Sequence, residues 1–298
     1  MTLVQKTISR RGRGQGAAVG GFSLIELLVV AAVLLVVLGG VVSYITVALQ
    51  RSKTEQTKVD LTQEGRAFVD EFERDIHQAG YPNCRMINTG SNCSIHFNDH
   101  TMAVGLVSVS STQIGFEGDV DGDGNVDSVW YRLVDSAGNF PPTGTCPCTI
   151  QRAQVNKVDS PPLSQIPLPP LFSQQLQEVV NSGVPAAGSL YGGGLPIAGN
   201  VLFGSGSMTN TAYYAAVTTF KDFPVFSAYD QNGNTVDLPR VITTVADQPV
   251  LSCNSPTAPC IKSVRLTINL LGNGASGYDP KTGVRPVVTL VGNGRIDN

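Results

Sequence analysis

The chain has 298 residues, 20 Lys+Arg against 23 Asp+Glu, and a net charge of −3. With so few cations and no long basic tract, the composition argues against nucleic acid as its main partner, because phosphate neutralisation needs clustered Lys and Arg. Its 32 Gly and 18 Pro suit a loop-rich β domain more than a helical bundle, and the length suffices for one sizeable core.

The first 21 residues, MTLVQKTISRRGRGQGAAVGG, carry Lys6, Arg10, Arg11 and Arg13 and no acid. Without these four cations, residues 22–298 have a net charge of −7. From Phe22 to Val42 the chain is apolar or Gly except at Ser23 and Glu26. About 20 apolar residues at ~1.5 Å rise cross a hydrocarbon core ~30 Å thick, so a transmembrane helix is predicted over about 22–42. The basic flank places the amino end in the cytoplasm and the remainder outside. The run is too long for a signal-peptide core, and the small residues Gly20 and Gly21 precede it instead of following it. A carboxylate in the bilayer centre costs roughly 2.5–3.5 kcal/mol, so Glu26 requires a partner.

The basic leader, Gly21 and the following FSLIELL resemble the class III signal of type IV prepilins. The resemblance implies a leader of residues 1–21, cut by a prepilin peptidase between Gly21 and Phe22, and N-methylation of Phe22. It also gives Glu26 the role of the family's subunit-docking glutamate. Phe22 and Glu26 lie four residues apart, about one turn along one helix face. A terminal amine created at Phe22, in the same or a neighbouring subunit, therefore gives the carboxylate its counter-charge. By the same resemblance, a subunit that keeps this glutamate sits below the outermost one.

Beyond RSKTEQTK, residues Leu61, Gly65, Phe68, Phe72, Ile76 and Ala79 recur at three- and four-residue spacing. One long helix over 22–80 is predicted, its upper half packed on a head, with Gly80 and Pro82 as its stop. Gly39 and Gly40 each weaken it by roughly 1 kcal/mol.

Residues 81–298 read as a β-rich head. MAVGLVSVS, TQIGFEG, SVWYRLV, TAYYAAVTTF, RVITTVA, SVRLTINLLG and RPVVTLVG are short β-branched and aromatic runs bounded by turn residues. Helix first and strands after define an α+β class with an antiparallel sheet. Residues 159–206, rich in Pro and Gly, are predicted to form a long irregular excursion, and YDQNGNTVD from Tyr229 a hairpin turn. The six cysteines, Cys84, Cys93, Cys146, Cys148, Cys253 and Cys260, all follow the span and would be exported to an oxidising compartment. Short separations favour Cys84–Cys93 and Cys253–Cys260, each worth roughly 2–3 kcal/mol. Cys146-Pro147-Cys148 is read as disulfide-forming with its partner open.

The stretch DVDGDGNVD places Asp119, Asp121, Asp123 and Asp127 at alternating positions around Gly124, with the Asn125 carbonyl as a further ligand. Convergent carboxylates at a sharp turn suit calcium. The Glu of an EF-hand is replaced here by Trp130, and the pattern resembles the calcium hairpins of integrin-type propellers. His96 and His100 flank Asp99 in a non-helical segment and are read as surface residues. No nucleophile elbow surrounds Ser205, and no Walker loop, HExxH or dinucleotide fingerprint occurs, so no catalytic residue is assigned.

The helix end FVDEFERDIHQAGYP resembles that of PilW-type minor pilins and the related J-type pseudopilins of type II secretion. The resemblance implies a pilin-like fold anchored in the inner membrane with a periplasmic head. Its partners would be other minor pilins, the major pilin and the inner-membrane assembly platform. Its place would be in the priming complex of a type IV pilus serving twitching, adhesion or DNA uptake. The alternatives are a J-type pseudopilin or a tip-displayed calcium-dependent adhesion module.

Overall fold

The computed structural model describes residues 21, 23–83, 98–143, 146–181, 223–242, 260–272 and 285–296. The leader, Phe22, Cys84, Cys93, His96, Ser205, Cys253, the run at 211–220 and residues 182–206 of the predicted excursion lie outside them. The chain divides into two units, residues 1–48 and 49–298.

Helix α1, Leu24–His77, is 54 residues long and continuous through Gly39 and Gly40. Ser23 starts it by accepting the Glu26 and Leu27 N–H groups on its carbonyl. In the first unit the helix is apolar on every side and fully exposed, long and apolar enough to cross a membrane. No proline interrupts it, and its Leu and Ala positions carry good helix propensity. Arg74 and His77 occupy the last turn, where cations complement the helix dipole. Gly80 then adopts φ 87° and donates to the Glu117 carbonyl, so the predicted stop holds within a few residues.

In the second unit, α1 buries Leu61, Gly65, Phe68, Val69, Phe72 and Ile76, the stripe expected from the spacing. They pack on an antiparallel sheet that has ten strands among the described residues. Its strands are β1 (Leu106–Val109), β2 (Gln113–Gly118), β3 (Asp127–Val134), β4 (Cys148–Asn156), β5 (Ser173–Val179), β6 (Phe226–Asp230), β7 (Thr235–Val236), β8 (Arg240–Val241), β9 (Ile261–Leu271) and β10 (Val287–Arg295). Their order is β7-β6-β9-β5-β4-β3-β2-β1-β8, with β10 also paired to β9. The α+β class is as expected.

The core lies between α1 and one face of the sheet. Phe72 meets Tyr131 edge-on at 5.5 Å and Phe226 at 5.9 Å, and Phe68 meets Tyr131 at 5.9 Å. Helix and sheet approach closely because β10 presents glycine: a Cβ on Gly294 would collide with the Ile76 side chain. The opposite face carries a smaller cluster of Val107, Trp130, Ala153 and Phe172, with Leu163 against it. Strand β3 is thus buried on both faces, which explains its unbroken SVWYRLV run.

One expectation needs correction. The predicted excursion is not irregular at its start: 3-10 turns at Pro162–Gln165 and Pro169–Leu171 lead into β5, a central strand between β4 and β9. Its SQQLQEV sequence hides the strand because only Leu176 and Val179 are buried. Strand β4 was likewise concealed by the polar side chains of CTIQRAQVN. Of RVITTVA, Arg240 and Val241 form β8, and residues 243–246 lie outside the described residues. The Tyr229 segment is a hairpin turn as expected, closed by Asp230 N–H to Asn234 O at 2.9 Å. Cys146 and Cys148 are disulfide-bonded to each other and fully buried. Cys260 is also disulfide-bonded, with its partner outside the described residues.

Candidate functional site

Two features carry chemistry. The first is the start of α1. Glu26 stands in the first turn of the exposed apolar segment, and Gly21 immediately before it is exposed. Acid in a first turn is favourable to the helix dipole.

The second is the loop between β2 and β3, closed by the Gly118–Asp127 pair. Asp119 anchors it: its backbone N–H donates to Tyr81 O at 2.8 Å, and its carboxylate accepts Gly122 N–H at 2.8 Å and Gly124 N–H at 3.1 Å. Gly124 has φ 89°, a conformation that side-chain-bearing residues rarely adopt. Oxygen atoms of Asp119, Asp121 and Asp127 lie within 4.8 Å of one another. Asp123 does not join them, because its carboxylate accepts the Asn125 N–H at 2.8 Å and the Asn125 side-chain amide at 2.9 Å. Three of the four expected carboxylates therefore converge, and Asp123 turns back on Asn125 instead.

The donor set fits a hard cation in kind: three carboxylates, each acceptor-only when ionised. Asp127 is 2% exposed and pushed up to about 6, chiefly by burial and then by the charges of Asp121 and Asp123 against the opposing Gln154 bond. A cation held there would remove that penalty.

Gln154 on β4 was not anticipated. Its Nε2 donates to Asp127 at 3.0 Å and to Asp121 at 3.3 Å, while its Oε1 accepts Arg152 Nη2 at 3.0 Å. Arg152 in turn bonds Asp75 of α1 through Nη2 at 2.7 Å and Nε at 2.9 Å, and lies 3.5 Å from Glu71. Tyr131 donates its hydroxyl to the same Asp75 oxygen at 2.7 Å. Burial, followed by the Asp75 charge, holds the Tyr131 hydroxyl well above its ordinary range, so it remains a donor. A hydrogen-bonded chain thus connects the buried face of α1 to the acidic loop. Asp75 was detectable in principle: it falls three residues after Phe72, inside the buried stripe.

Beneath the loop, Glu117 and Lys157 form a fully buried ion pair at 2.7 Å. Glu117 also accepts Val104 N–H, and Lys157 donates to Met102 O at 2.8 Å. Burial pushes the Glu117 carboxyl up, against the opposing pull of Lys157 and Val104. Its second oxygen has no hydrogen-bond partner among the described residues.

Comparison of the chain with family models, with curated proteins and with solved structures finds no match. The class is set by the chain's own features. It is an α+β protein with one helix able by length and composition to cross a membrane, and with an acidic hairpin loop at the far end of that helix.

Proposed function

We propose that the chain is a minor prepilin that joins a type IV pilus as a non-enzymatic structural subunit, in the priming complex at or near the tip. The observation that carries the reading is the 54-residue helix itself. Its first half is an exposed apolar segment, and its second half is packed on a β-sheet head. A subunit that leaves a bilayer for a fibre needs such a division: an apolar segment that exchanges lipid for neighbouring helices, and a head that stays folded outside. The prepilin peptidase removes residues 1–21, and Phe22 becomes the methylated terminus. Glu26 then pairs with the amine of an adjacent subunit, with the major pilin, other minor pilins and the inner-membrane assembly platform as partners.

Calcium is the proposed ion of the acidic hairpin, held by Asp119, Asp121 and Asp127, where it neutralises their mutual repulsion. Its role is structural, fixing the turn between β2 and β3.

The test is Glu26→Ala in the full chain, expressed with the assembly machinery. Cleavage after Gly21 should continue while recovery in sheared fibres falls at least several-fold; unchanged recovery would remove the docking role.

A further inference from the structure

Among the described residues, Glu117 and Lys157 are the one carboxylate and amine that meet with both side chains wholly buried. Each is 0% exposed, and Nζ stands 2.7 Å from Oε2. The pair Lys58–Glu55 lies by contrast at the surface, 42% and 69% exposed. Attraction offsets the desolvation of a buried charge pair only when its remaining lone pairs are also satisfied. Here they are not. Oε2 takes the hydrogen bonds from Lys157 Nζ and from the Val104 N–H at 2.9 Å, while Oε1 is buried with no partner among the described residues. We propose that Glu117 and Lys157 condense into an intramolecular amide, which ties the end of β2 to the turn after β4 across β3.

The reaction needs no co-reactant. Proton transfer from the ammonium to the carboxylate gives a neutral amine and a carboxylic acid, which an apolar site favours over two charges. Nζ then adds to Cδ and the Cδ–Oε1 bond breaks. A second nitrogen proton follows the departing oxygen, so one water leaves and the amide nitrogen keeps a single hydrogen. Charge is conserved, and nothing is oxidised or reduced.

The geometry gives every atom a place in the product. Oε2 becomes the amide oxygen, and the Val104 N–H already faces it, where negative charge develops as Nζ adds. Nζ keeps its hydrogen for Met102 O, 2.8 Å away. Oε1, the atom without a partner, is the one that leaves. A buried amide hydrogen-bonded at both ends thus replaces a charge pair and an orphan oxygen.

The approach is also short. Cδ lies about 1.2 Å from Oε2, so Nζ is at most about 3.9 Å from it, near the roughly 3–3.5 Å of a reactive contact. Complete burial keeps bulk water from reversing the step. The bond would join residues 40 apart in sequence and brace β2, β3 and β4 covalently. It does not depend on the prepilin reading.

The test is the intact mass of the full-length chain, purified in detergent, reduced and alkylated. Wild type and Lys58→Arg should each be lighter than their sequences by one water, and Lys157→Arg should have its full mass. A tryptic digest of wild type should contain one branched peptide joining the Glu117 and Lys157 segments, with no cleavage after Lys157. A wild-type chain of full mass would overturn the proposal. So would a deficit that maps to a succinimide at Asp121-Gly122 or Asp123-Gly124, whose formation also releases one water, or a deficit retained in Lys157→Arg.

Discussion

Replacing Asp75 by Ala tests the fastening of α1 to the sheet. Asp75 is 1% exposed and accepts three hydrogen bonds, one from the Tyr131 hydroxyl and two from Arg152. Truncation leaves a largely buried guanidinium and a buried phenol without their common acceptor. Removing one partner of a buried ion pair costs about 3–5 kcal/mol. Arg152 retains Gln154 and nearby Glu71, which places the loss near the lower bound, about 3 kcal/mol. With a urea slope of about 3 kcal/mol per M for a head of this size, the midpoint should fall by about 1 M. The fluorescence of Trp130, the chain's single tryptophan and fully buried on β3, reports the transition. The triple replacement Asp75→Leu, Tyr131→Phe and Arg152→Met removes all the polar groups together and should recover most of the loss. A midpoint change below about 0.3 M in Asp75→Ala would show that the network does not hold the helix.

Three further outcomes follow from the geometry. Gly294→Ala drives a methyl into Ile76 and should cost about 1–3 kcal/mol, a fall of roughly 3–10 °C in the melting temperature; an unchanged value would mean that β10 does not press on α1. Lys157→Met leaves Glu117 alone in the core, and because the Glu117 carboxyl is already pushed up, the loss in urea midpoint should be larger at pH 8 than at pH 5. A pH-independent loss would contradict this. For Asp127, raised to about 6, the folded state holds a proton that the unfolded chain has released between about pH 4 and 6. This group's contribution to stability therefore declines as pH rises through that window and stays low above it. Added calcium should offset the decline, raising the melting temperature at pH 7.5 and losing its effect as pH falls through 6. Equal effects at pH 5 and 7.5, or none in either, would exclude the Asp119–Asp121–Asp127 cation site.

Much of the frame was legible because burial follows residue type where one face decides. The stripe Leu61 to Ala79 repeats at helical spacing, and β1, β2, β3 and β9 are β-branched runs whose side chains fill the core. Strands β4 and β5 escaped notice because Gln151, Arg152, Gln154, Gln174 and Gln175 give them the composition of a loop. Their burial comes from neighbours on both sides, which only the topology supplies. In the candidate site, alternating acids identified the loop, but not which of them converge. That depends on loop torsions: Asp123 turns back to bond Asn125, and Gln154 arrives from a strand more than thirty residues on from Asp121. The Cys146–Cys148 pairing is not legible in the sequence for a similar reason, since a one-residue gap neither requires nor forbids a bond until the backbone is placed.

The prepilin reading rests on what happens between Gly21 and Phe22, so the decisive measurement is the intact mass of the chain extracted from membranes, expressed with and without a prepilin peptidase. A mass beginning at Phe22 with one added methyl, seen only when the peptidase is present, is the result that a prepilin must give. A chain left uncut in its presence, or cut elsewhere, would contradict the assignment and leave Glu26 an unpaired charge in an ordinary membrane anchor.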